Sequence, residues 1–208
     1  MCQADYDRAI AYALERLSRG LSPELTYHDL WHTQFDVLPA VARAGAIHEL
    51  ARGEIRLMQV AAAFHDIGFL ETWQGHEQVG VRVAREVLPE FCFDEGQVEQ
   101  IAGMIMATRL PQSPHNLLEE IVVDADLDVL GRDDFFDRSA LLRRELIQLG
   151  RELSWRRWQE EQLHFLQQHT YFTPVARSLR DEGKRRHIAM IEEWLRRDEQ
   201  ENGSGPSA

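Results

Sequence analysis

The sequence predicts an all-α fold, a helical bundle with additional helices at its C-terminal end. Apolar residues recur at spacings of three and four in nearly every segment, whereas strict alternation of apolar and polar residues is scarce. Three helix start signals agree with this period: Ser22-Pro23, Thr173-Pro174 and the capping-box pattern Asn116-x-x-Glu119. In the first two, a capping hydroxyl precedes a proline at the first helical position.

The pattern predicts nine helices separated by loops and turns, at residues 4–18, 23–44, 53–66, 75–88, 94–108, 116–130, 134–149, 153–168 and 174–198. Residues 121–123 are β-branched and could belong to a strand, but the cap before them and the leucines after them favour a buried helix. The stretch 110–116 holds two prolines and is predicted to be a loop. The last residues, 200–208, have the composition of a disordered tail.

Length and charge limit what the chain can do. With 208 residues it can bury one substantial core, so we expect a single domain over residues 1–199, with its motifs in 24–131 and a helical extension over 132–199. A formal net charge of −12 argues against binding to long nucleic acid, which depends on clustered Lys and Arg.

No apolar run has the length of a membrane span and no secretory signal is recognisable, so we expect a cytoplasmic protein with no membrane partner. Cys2 and Cys92 are too few and too far apart for a disulfide scaffold and are expected to be free thiols.

The pair His65-Asp66, in the run AAAFHDIGF, is the centre of a candidate functional site. With His32 before it and Asp126 after it, the pair supplies two imidazoles and two carboxylates, a donor set that suits a divalent transition metal. Such a set indicates metal-assisted hydrolysis. A single His-Asp pair often arises by chance, and a lone histidine on an apolar face is usually a hydrogen-bonded core residue. Coincidence is improbable here, because Tyr-His-x-x-x-His, His-Asp-Ile-Gly and Asp-Ala-Asp-Leu-Asp follow one another along the chain.

The local geometry around these residues is also predicted. His28 and His32 are four residues apart, so both imidazoles are expected to face one centre from one helix. Gly68 follows the His-Asp pair and is interpreted as a left-handed residue that ends the helix and leaves the pair exposed at a cavity.

These motifs resemble those of the HD-domain superfamily of metal-dependent phosphohydrolases over residues 24–131, and they are most similar to small bacterial proteins known only as predicted HD phosphohydrolases. The resemblance implies four metal ligands: His32, His65, Asp66 and Asp126. It favours Asp126 over Asp124 and Asp128, because the second aspartate of Asp-x-Asp matches the ligand. Asp124 is then expected to support the ligands from behind, and Asp128 to cap a helix or form an ion pair.

The resemblance further implies catalytic roles for nearby side chains. His28 matches a general acid that protonates the leaving oxygen, and the alternative is a packing histidine beside Tyr27. His76 and Glu77 begin the next helix and are expected to position or deprotonate the attacking water, or to bind a phosphate oxygen. Arg109 offers a planar fork to the phosphate, with a surface salt bridge as the alternative.

The resemblance also indicates how many metal ions to expect, because members with two metals carry more histidines. Two-metal members of the superfamily carry additional histidines near the end of the following helix, where this chain has Met106-Ala107-Thr108-Arg109. His115 is the nearest substitute, but it lies between proline and asparagine in a loop and is expected to be exposed. We therefore expect one divalent transition metal: manganese, iron, cobalt, nickel or zinc, with magnesium also allowed.

The segment after the motifs contains no further ligand candidates of comparable quality. Its aromatic residues at helical spacing are interpreted as core packing, and they are Trp155, Trp158, Phe165, Phe172 and Trp194. Arg177 and Arg180 are candidates for reaching over the cavity to clamp a substrate.

The sequence thus predicts a metal-dependent phosphohydrolase that cleaves a phosphate ester of a small metabolite with a metal-activated water. A nucleotide is the favoured substrate. One alternative is an HD-type di-iron oxygenase, which would need His76 and His115 or another pair to hold a second iron. Another is a noncatalytic sensor module that keeps the metal to hold a nucleotide. Homodimer formation is left open.

Overall fold

The computed structural model describes residues 2–203, and all regular secondary structure in that part of the chain is helical. The α-helices are α1 (Tyr6–Gly20), α2 (Leu38–Ile47), α3 (Arg52–Phe64), α4 (His76–Val87), α5 (Glu95–Ala107), α6 (Leu117–Asp126), α7 (Phe135–Gln148), α8 (Trp155–Gln168) and α9 (Pro174–Gly203). The predicted all-α fold is confirmed. None of the helices within residues 2–203 is long and apolar enough to cross a membrane.

The first part of the chain packs around α3. Residues 60–64 of this helix have no solvent exposure, and α1, α2 and α5 all contact it. Three of these residues are alanines, whose small side chains let neighbouring helices approach closely. The C-terminal end of α3, which the His-Asp pair follows, is therefore held inside the bundle.

The C-terminal helices form a second core against the end of α6. Phe135, Tyr171 and Ile191 are buried there together with Val129 and Leu130. Each large apolar side chain buried in this way stabilises the fold by about 1.5–3 kcal/mol. The C-terminal helices are thus packed tightly enough to form walls of a binding site. The predicted single-domain organisation stays a prediction.

Two of the predicted helix start signals act as expected. The side chain of Asn116 accepts a hydrogen bond from Glu119 N at 3.1 Å, and α6 follows directly. Thr173 Oγ1 accepts one from Ala176 N at 3.1 Å at the start of α9. The third signal is wrong: Ser22 Oγ accepts a hydrogen bond from Glu24 N at 3.3 Å, but no helix begins there.

The predicted helix over 23–44 is wrong in its first part. Residues 23–29 form turns and bends, the helix begins at residue 30, and a π-helix spans His32–Val37 before α2. The backbone N–H groups of Tyr27 and His28 donate to Glu145 Oε2 at 2.7 and 3.0 Å instead of to helical carbonyls. A long-range partner in α7 therefore overrides the local helical preference.

Two helix ends also differ from the sequence prediction. The helix predicted over 116–130 ends at Asp126, and a 3-10 turn covers Asp128–Gly131. The Leu127 carbonyl accepts Leu130 N at 3.1 Å within that turn and the hydroxyl of Tyr171 at 3.2 Å from outside it. At the other end of the chain, α9 continues to Gly203, so the predicted disorder is wrong for residues 200–203. Residues 204–208 lie outside the described residues.

The two cysteines form a disulfide, so the expectation of free thiols is wrong. The Cα atoms of Cys2 and Cys92 are 5.7 Å apart although the residues are 90 positions apart in sequence. The segment before α1 is held against the turn after α4, where Asp5 N donates to the carbonyl of Phe91 at 2.9 Å. Sequence separation concealed this proximity, because it depends on how α1 packs.

Candidate metal centre

The candidate ligands come from three separate places in the fold. His32 begins the π-helix, His65 and Asp66 directly follow α3, and Asp126 is the last residue of α6. His65, Asp66 and Asp126 thus lie at the C-terminal ends of helices, where the chain can change direction. His32, His65 and Asp66 are buried, and 17% of the Asp126 side chain is exposed.

Gly68 is needed here for a reason other than the predicted one. Its backbone is not left-handed, so the prediction of a left-handed helix end is wrong. A Cβ atom at this position would lie 1.9 Å from the carbonyl oxygen of His76. The glycine therefore lets the first residue of α4 approach the chain just after the His-Asp pair.

The four candidate ligands converge. His32 Nε2 lies 3.1 Å from Asp126 Oδ1 and 3.8 Å from Asp66 Oδ2. His65 Nε2 lies 3.1 Å from Asp66 Oδ2 and 3.4 Å from Asp126 Oδ1. His32, His65 and Asp66 each offer one donor atom within 4.8 Å of the other two, as the donors of a divalent transition metal do, and Asp126 Oδ1 lies beside both imidazoles.

The hydrogen bonding of His65 tests whether a cation fits. His65 Nδ1 lies 2.7 Å from the carbonyl of Ala62, so Nδ1 carries the proton and Nε2 of the neutral ring presents a lone pair. His65 Nε2 and Asp66 Oδ2 are buried and have no hydrogen-bond partner among residues 2–203. A lone pair facing carboxylate oxygens is unfavourable unless a positive charge lies between them. A metal ion supplies that charge, and the donor set fits one.

The titration behaviour of the cluster agrees with this interpretation. Burial by itself lowers the pKa of His32, but the hydrogen bond to Asp126 and the nearby carboxylates of Asp36 and Asp66 outweigh burial and raise the pKa to about 9. Burial also lowers the pKa of His65, but the negative charges of Asp66 and Asp126 outweigh burial and raise this pKa well above its ordinary value. Burial opposes ionisation of Asp66 and Asp126, yet the neighbouring imidazoles hold the pKa of each carboxyl well below its usual range. The cluster strongly favours a positive charge at its centre.

A carboxylate behind His32 orients that ring. His32 Nδ1 lies 3.7 Å from Asp36 Oδ2 within the π-helix. Asp36 is itself held by Arg132 at 2.6 Å and by Arg138 at 3.4 Å. Ligand histidines usually have such a partner on the second nitrogen.

His28 lies beside the cluster but not on a helix with His32, so that part of the prediction is wrong. The two ring centroids are nevertheless 6.0 Å apart. His28 Nδ1 lies 2.5 Å from Glu145 Oε1, a carboxylate with no solvent exposure. Sequence reasoning missed Glu145, because an acid in an amphipathic helix is usually a solvated surface residue.

His76 and Glu77 also reach the site. His76 Nε2 lies 3.6 Å from Asp66 Oδ1 and 3.7 Å from Glu77 Oε1, and its ring stacks on Phe69 with centroids 3.9 Å apart. Arg109 is exposed and lines a cavity that lies next to these residues. When the Gln78 amide is oriented to accept, its oxygen lies 2.7 Å from Arg109 Nη1, so this guanidinium is held by an amide.

Several other candidates lie elsewhere. Asp124 does not support the ligands: it accepts hydrogen bonds from Phe172 N and Thr173 N, both at 2.8 Å, before α9. Asp128 forms an ion pair, as expected, with Arg180 at 2.7 Å. Arg177 Nε donates to the Tyr171 carbonyl, and neither Arg177 nor Arg180 lines the cavity. His115 is exposed on its loop, as expected.

The cavity next to the cluster has a volume of about 550 Å³, within the size range of small-molecule sites. One end contains the histidines and carboxylates already described, and the other is formed by α7 and α8. Trp158 and Phe165 line it. Trp158 is only 2% exposed and Phe165 packs against the second core, so both pack as predicted and also contribute to the cavity wall. Trp155 is not core at all, because 54% of its surface is exposed.

The fold is shared with several solved structures. A predicted HD superfamily hydrolase from an uncultured Thermotogales bacterium has a TM-score of 0.57 at 22% identity, covering 94% of this chain and 91% of that one. Bacillus subtilis YpgQ in complex with ADP has a TM-score of 0.62 at 16% identity, covering 94% of each chain. A structural genomics target from Lactobacillus plantarum has a TM-score of 0.65 at 16% identity, covering 99% of this chain and 100% of that one.

These similarities establish the class of fold. The chain has the fold of a predicted HD superfamily hydrolase, with a buried His/Asp cluster, and the resemblance stated from the sequence is confirmed at the level of the fold. No family model and no curated protein matches the sequence.

Proposed function

We propose that this protein is a metal-dependent hydrolase that cleaves a phosphate ester of a small metabolite, and that its substrate is a nucleotide. The observation that carries the proposal is the buried, unpartnered pair of His65 Nε2 and Asp66 Oδ2, which needs a cation between its atoms. Nitrogen and carboxylate donors of this kind hold hydrolytic metals.

Two features support a nucleotide. The cavity is large enough for a phosphate next to the cluster and an organic group beyond it. Bacillus subtilis YpgQ, which shares the fold, was crystallised with ADP.

The chain's own residues suit the steps of ester hydrolysis. His32, His65, Asp66 and Asp126 would hold the ion, which supplies positive charge to the phosphate oxygens and acidifies a water molecule. His76 and Glu77 lie next to Asp66 and can orient the attacking water.

The leaving group and the phosphate are handled by other side chains. With Nδ1 held by Glu145, His28 has Nε2 left to donate a proton to the leaving oxygen. Arg109 can bind a phosphate oxygen at the cavity wall.

The test is a phosphate-release screen with nucleoside mono-, di- and triphosphates and cyclic dinucleotides, each with several divalent metals. Asp66→Ala should lower the rate at least about 100-fold, since even the partners that only orient a ligand contribute about 10–100-fold. Asp133→Ala is the matched control, because the Asp133 side chain is 98% exposed.

Other outcomes would contradict the proposal. Two irons per chain with oxygen-dependent turnover would identify an oxygenase. Tight nucleotide binding without turnover under every metal would identify a sensor module. Equal rates for Asp66→Ala and the parent protein would show that the assigned site is wrong.

A further inference from the structure

The end of the cavity formed by the C-terminal helices differs in chemistry from the metal end. Leu142 and Leu146 of α7 line it, with Trp158, Gln162 and Phe165 of α8. All but Gln162 are apolar or aromatic. Such a lining suits a flat, uncharged ring system and is unfavourable for a phosphate.

The charged residues at this end do not change that conclusion. Arg151 and Glu161 also line the cavity, but Arg151 Nη2 donates to both carboxylate oxygens of Glu161 at 3.0 Å. Glu161 Oε1 also accepts from Arg157 Nε at 3.2 Å, so both charged residues that line this end are paired within the protein.

Gln162 is the polar group whose orientation is set by the protein. Trp158 Nε1 donates to Ser139 Oγ at 3.1 Å, and an indole N–H can only donate. The Ser139 hydroxyl in turn donates a hydrogen bond to Gln162 Oε1, also at 3.1 Å. This relay makes the Gln162 oxygen an acceptor and leaves its NH2 group as a donor.

The remaining NH2 group has no hydrogen-bond partner within residues 2–203, although 9% of Gln162 is exposed and the residue lines the cavity. A nearly buried amide donor without a partner is a ready contact for a ligand atom that accepts a hydrogen bond. The relay holds it as a donor only, so it disfavours a ligand that presents an amino group at that point.

We propose that this end of the cavity binds the base of a nucleotide. The ring lies against Trp158 and Phe165, and a ring nitrogen or carbonyl oxygen accepts a hydrogen bond from Gln162 Nε2. Stacking on aromatic side chains tolerates any base, so Gln162 is the residue that selects among bases. The inference rests on the proposed function, because it places the phosphates at the metal end of the same cavity.

The test measures binding by calorimetry with manganese, separately from turnover. The probes are α,β-methylene-ADP and methylenediphosphonate, which lacks the nucleoside. The parent protein should bind the first at least about 10-fold more tightly than the second. Gln162→Glu keeps the size of the side chain but replaces the donor by a carboxylate, and it should weaken α,β-methylene-ADP on the order of 10-fold without affecting methylenediphosphonate.

Two further variants complete the test. Ser139→Ala lets the amide rotate and should cause a smaller loss, confined to α,β-methylene-ADP. Gln168→Glu makes the same chemical change on the exposed end of α8 and should alter neither affinity. Thermal unfolding of each variant checks that it is folded.

Equal affinity of the parent for both probes, or an equal loss of both in Gln162→Glu, would overturn the base site. Phosphate release reports the proposed function independently. If release depends on Asp66 while Gln162→Glu binds like the parent, the hydrolase stands and the base site does not.

Discussion

Three histidines that line the cavity share one arrangement, in which the protein contacts Nδ1 and leaves Nε2 for the site. The Nδ1 partners are the Ala62 carbonyl for His65, the Trp73 carbonyl for His76 and Glu145 for His28. Fixing Nδ1 determines which nitrogen of a neutral ring has the lone pair. Reactivity at this site is therefore set as much by the partners as by the histidines.

Glu145 provides the sharpest test at the residue scale. Glu145→Gln keeps an acceptor for the N–H groups of Tyr27 and His28 but removes the negative charge behind the His28 ring. We expect kcat for phosphate release to fall on the order of 100-fold with little change in KM, since proton transfer is affected and substrate contacts are not.

The comparison variant is Glu145→Ala, which leaves two backbone donors without a partner. It should lower the free energy of unfolding by about 1–3 kcal/mol in chemical denaturation. If Glu145→Gln retained full kcat, His28 would not depend on this carboxylate.

At the scale of elements, helix ends and helix interruptions build the site. The ligands lie where α3 and α6 stop and where a π-helix replaces ordinary α-helix. Such interruptions often mark functional sites, because they turn side chains that a continuous helix would space apart. The close approach of α4 at Gly68 belongs to the same arrangement.

Gly68→Ala should disturb this junction. Its Cβ atom would lie 1.9 Å from the backbone oxygen of His76, so the start of α4 must shift. We expect a lower melting temperature and weaker activity, because His76 and Glu77 move with the helix. Gly53→Ala is the matched control: nothing lies within 4 Å of the new Cβ atom, and this position in the first turn of α3 should tolerate alanine with no loss of stability. Parent-like stability and activity in Gly68→Ala would contradict the close approach.

The connection between α8 and α9 should be acid-sensitive. Burial, together with the positive charge of Lys184, lowers the pKa of His169 to about 4. An unfolded histidine takes up its proton below about pH 6.5, so between these pH values the unfolded state holds more protons. The free energy of unfolding should therefore fall as the pH falls from about 6.5 to 4, by about 2 kcal/mol after allowance for partial exposure.

Denaturation curves across this pH range test the effect. His169→Gln should flatten the dependence, whereas His164→Gln, a change at an exposed histidine on α8, should leave it unchanged. Parallel pH profiles for His169→Gln and the parent would assign the acid sensitivity to other groups.

At the scale of the whole molecule, the site joins distant parts of the chain. His32, Asp66 and Asp126 come from separate elements, and the cavity walls come from α7 and α8. An ion bound at such a centre holds these parts together only in the folded state. Metal binding and folding stability should therefore be coupled.

Adding manganese to metal-free protein should raise its melting temperature, with a stabilisation of about 2.7 kcal/mol when the ion is at 100 times its dissociation constant. Calorimetric melting with and without a chelator measures this. Asp66→Ala should lose the metal-dependent increase and Asp133→Ala should keep it. An increase that persists in Asp66→Ala would place the ion elsewhere.

The fold class could be predicted from the sequence, because helical periodicity is a local property, and the set of candidate ligands was implied by the resemblance of the motifs to those of the HD-domain superfamily. Residues 23–29 could not, since their backbone donors bind Glu145 from the distant α7. The Cys2–Cys92 bond and the position of Gln162 in the cavity depend in the same way on packing between remote segments. Local pattern therefore identifies candidate ligands better than it identifies the distant residues that contact them.

The candidate metal ligands and the apolar wall of the cavity come from different segments of the chain, and this separation bears on how the protein can evolve. The candidate metal ligands lie within residues 32–126, whereas the apolar wall and the partner of His28 come from residues 142–165. Substitutions of the apolar wall residues, with Glu145 kept, can therefore change which molecule is accepted while the candidate metal ligands and the partner of His28 stay in place. Descendants of one ancestral chain could diversify their substrates by altering this extension alone.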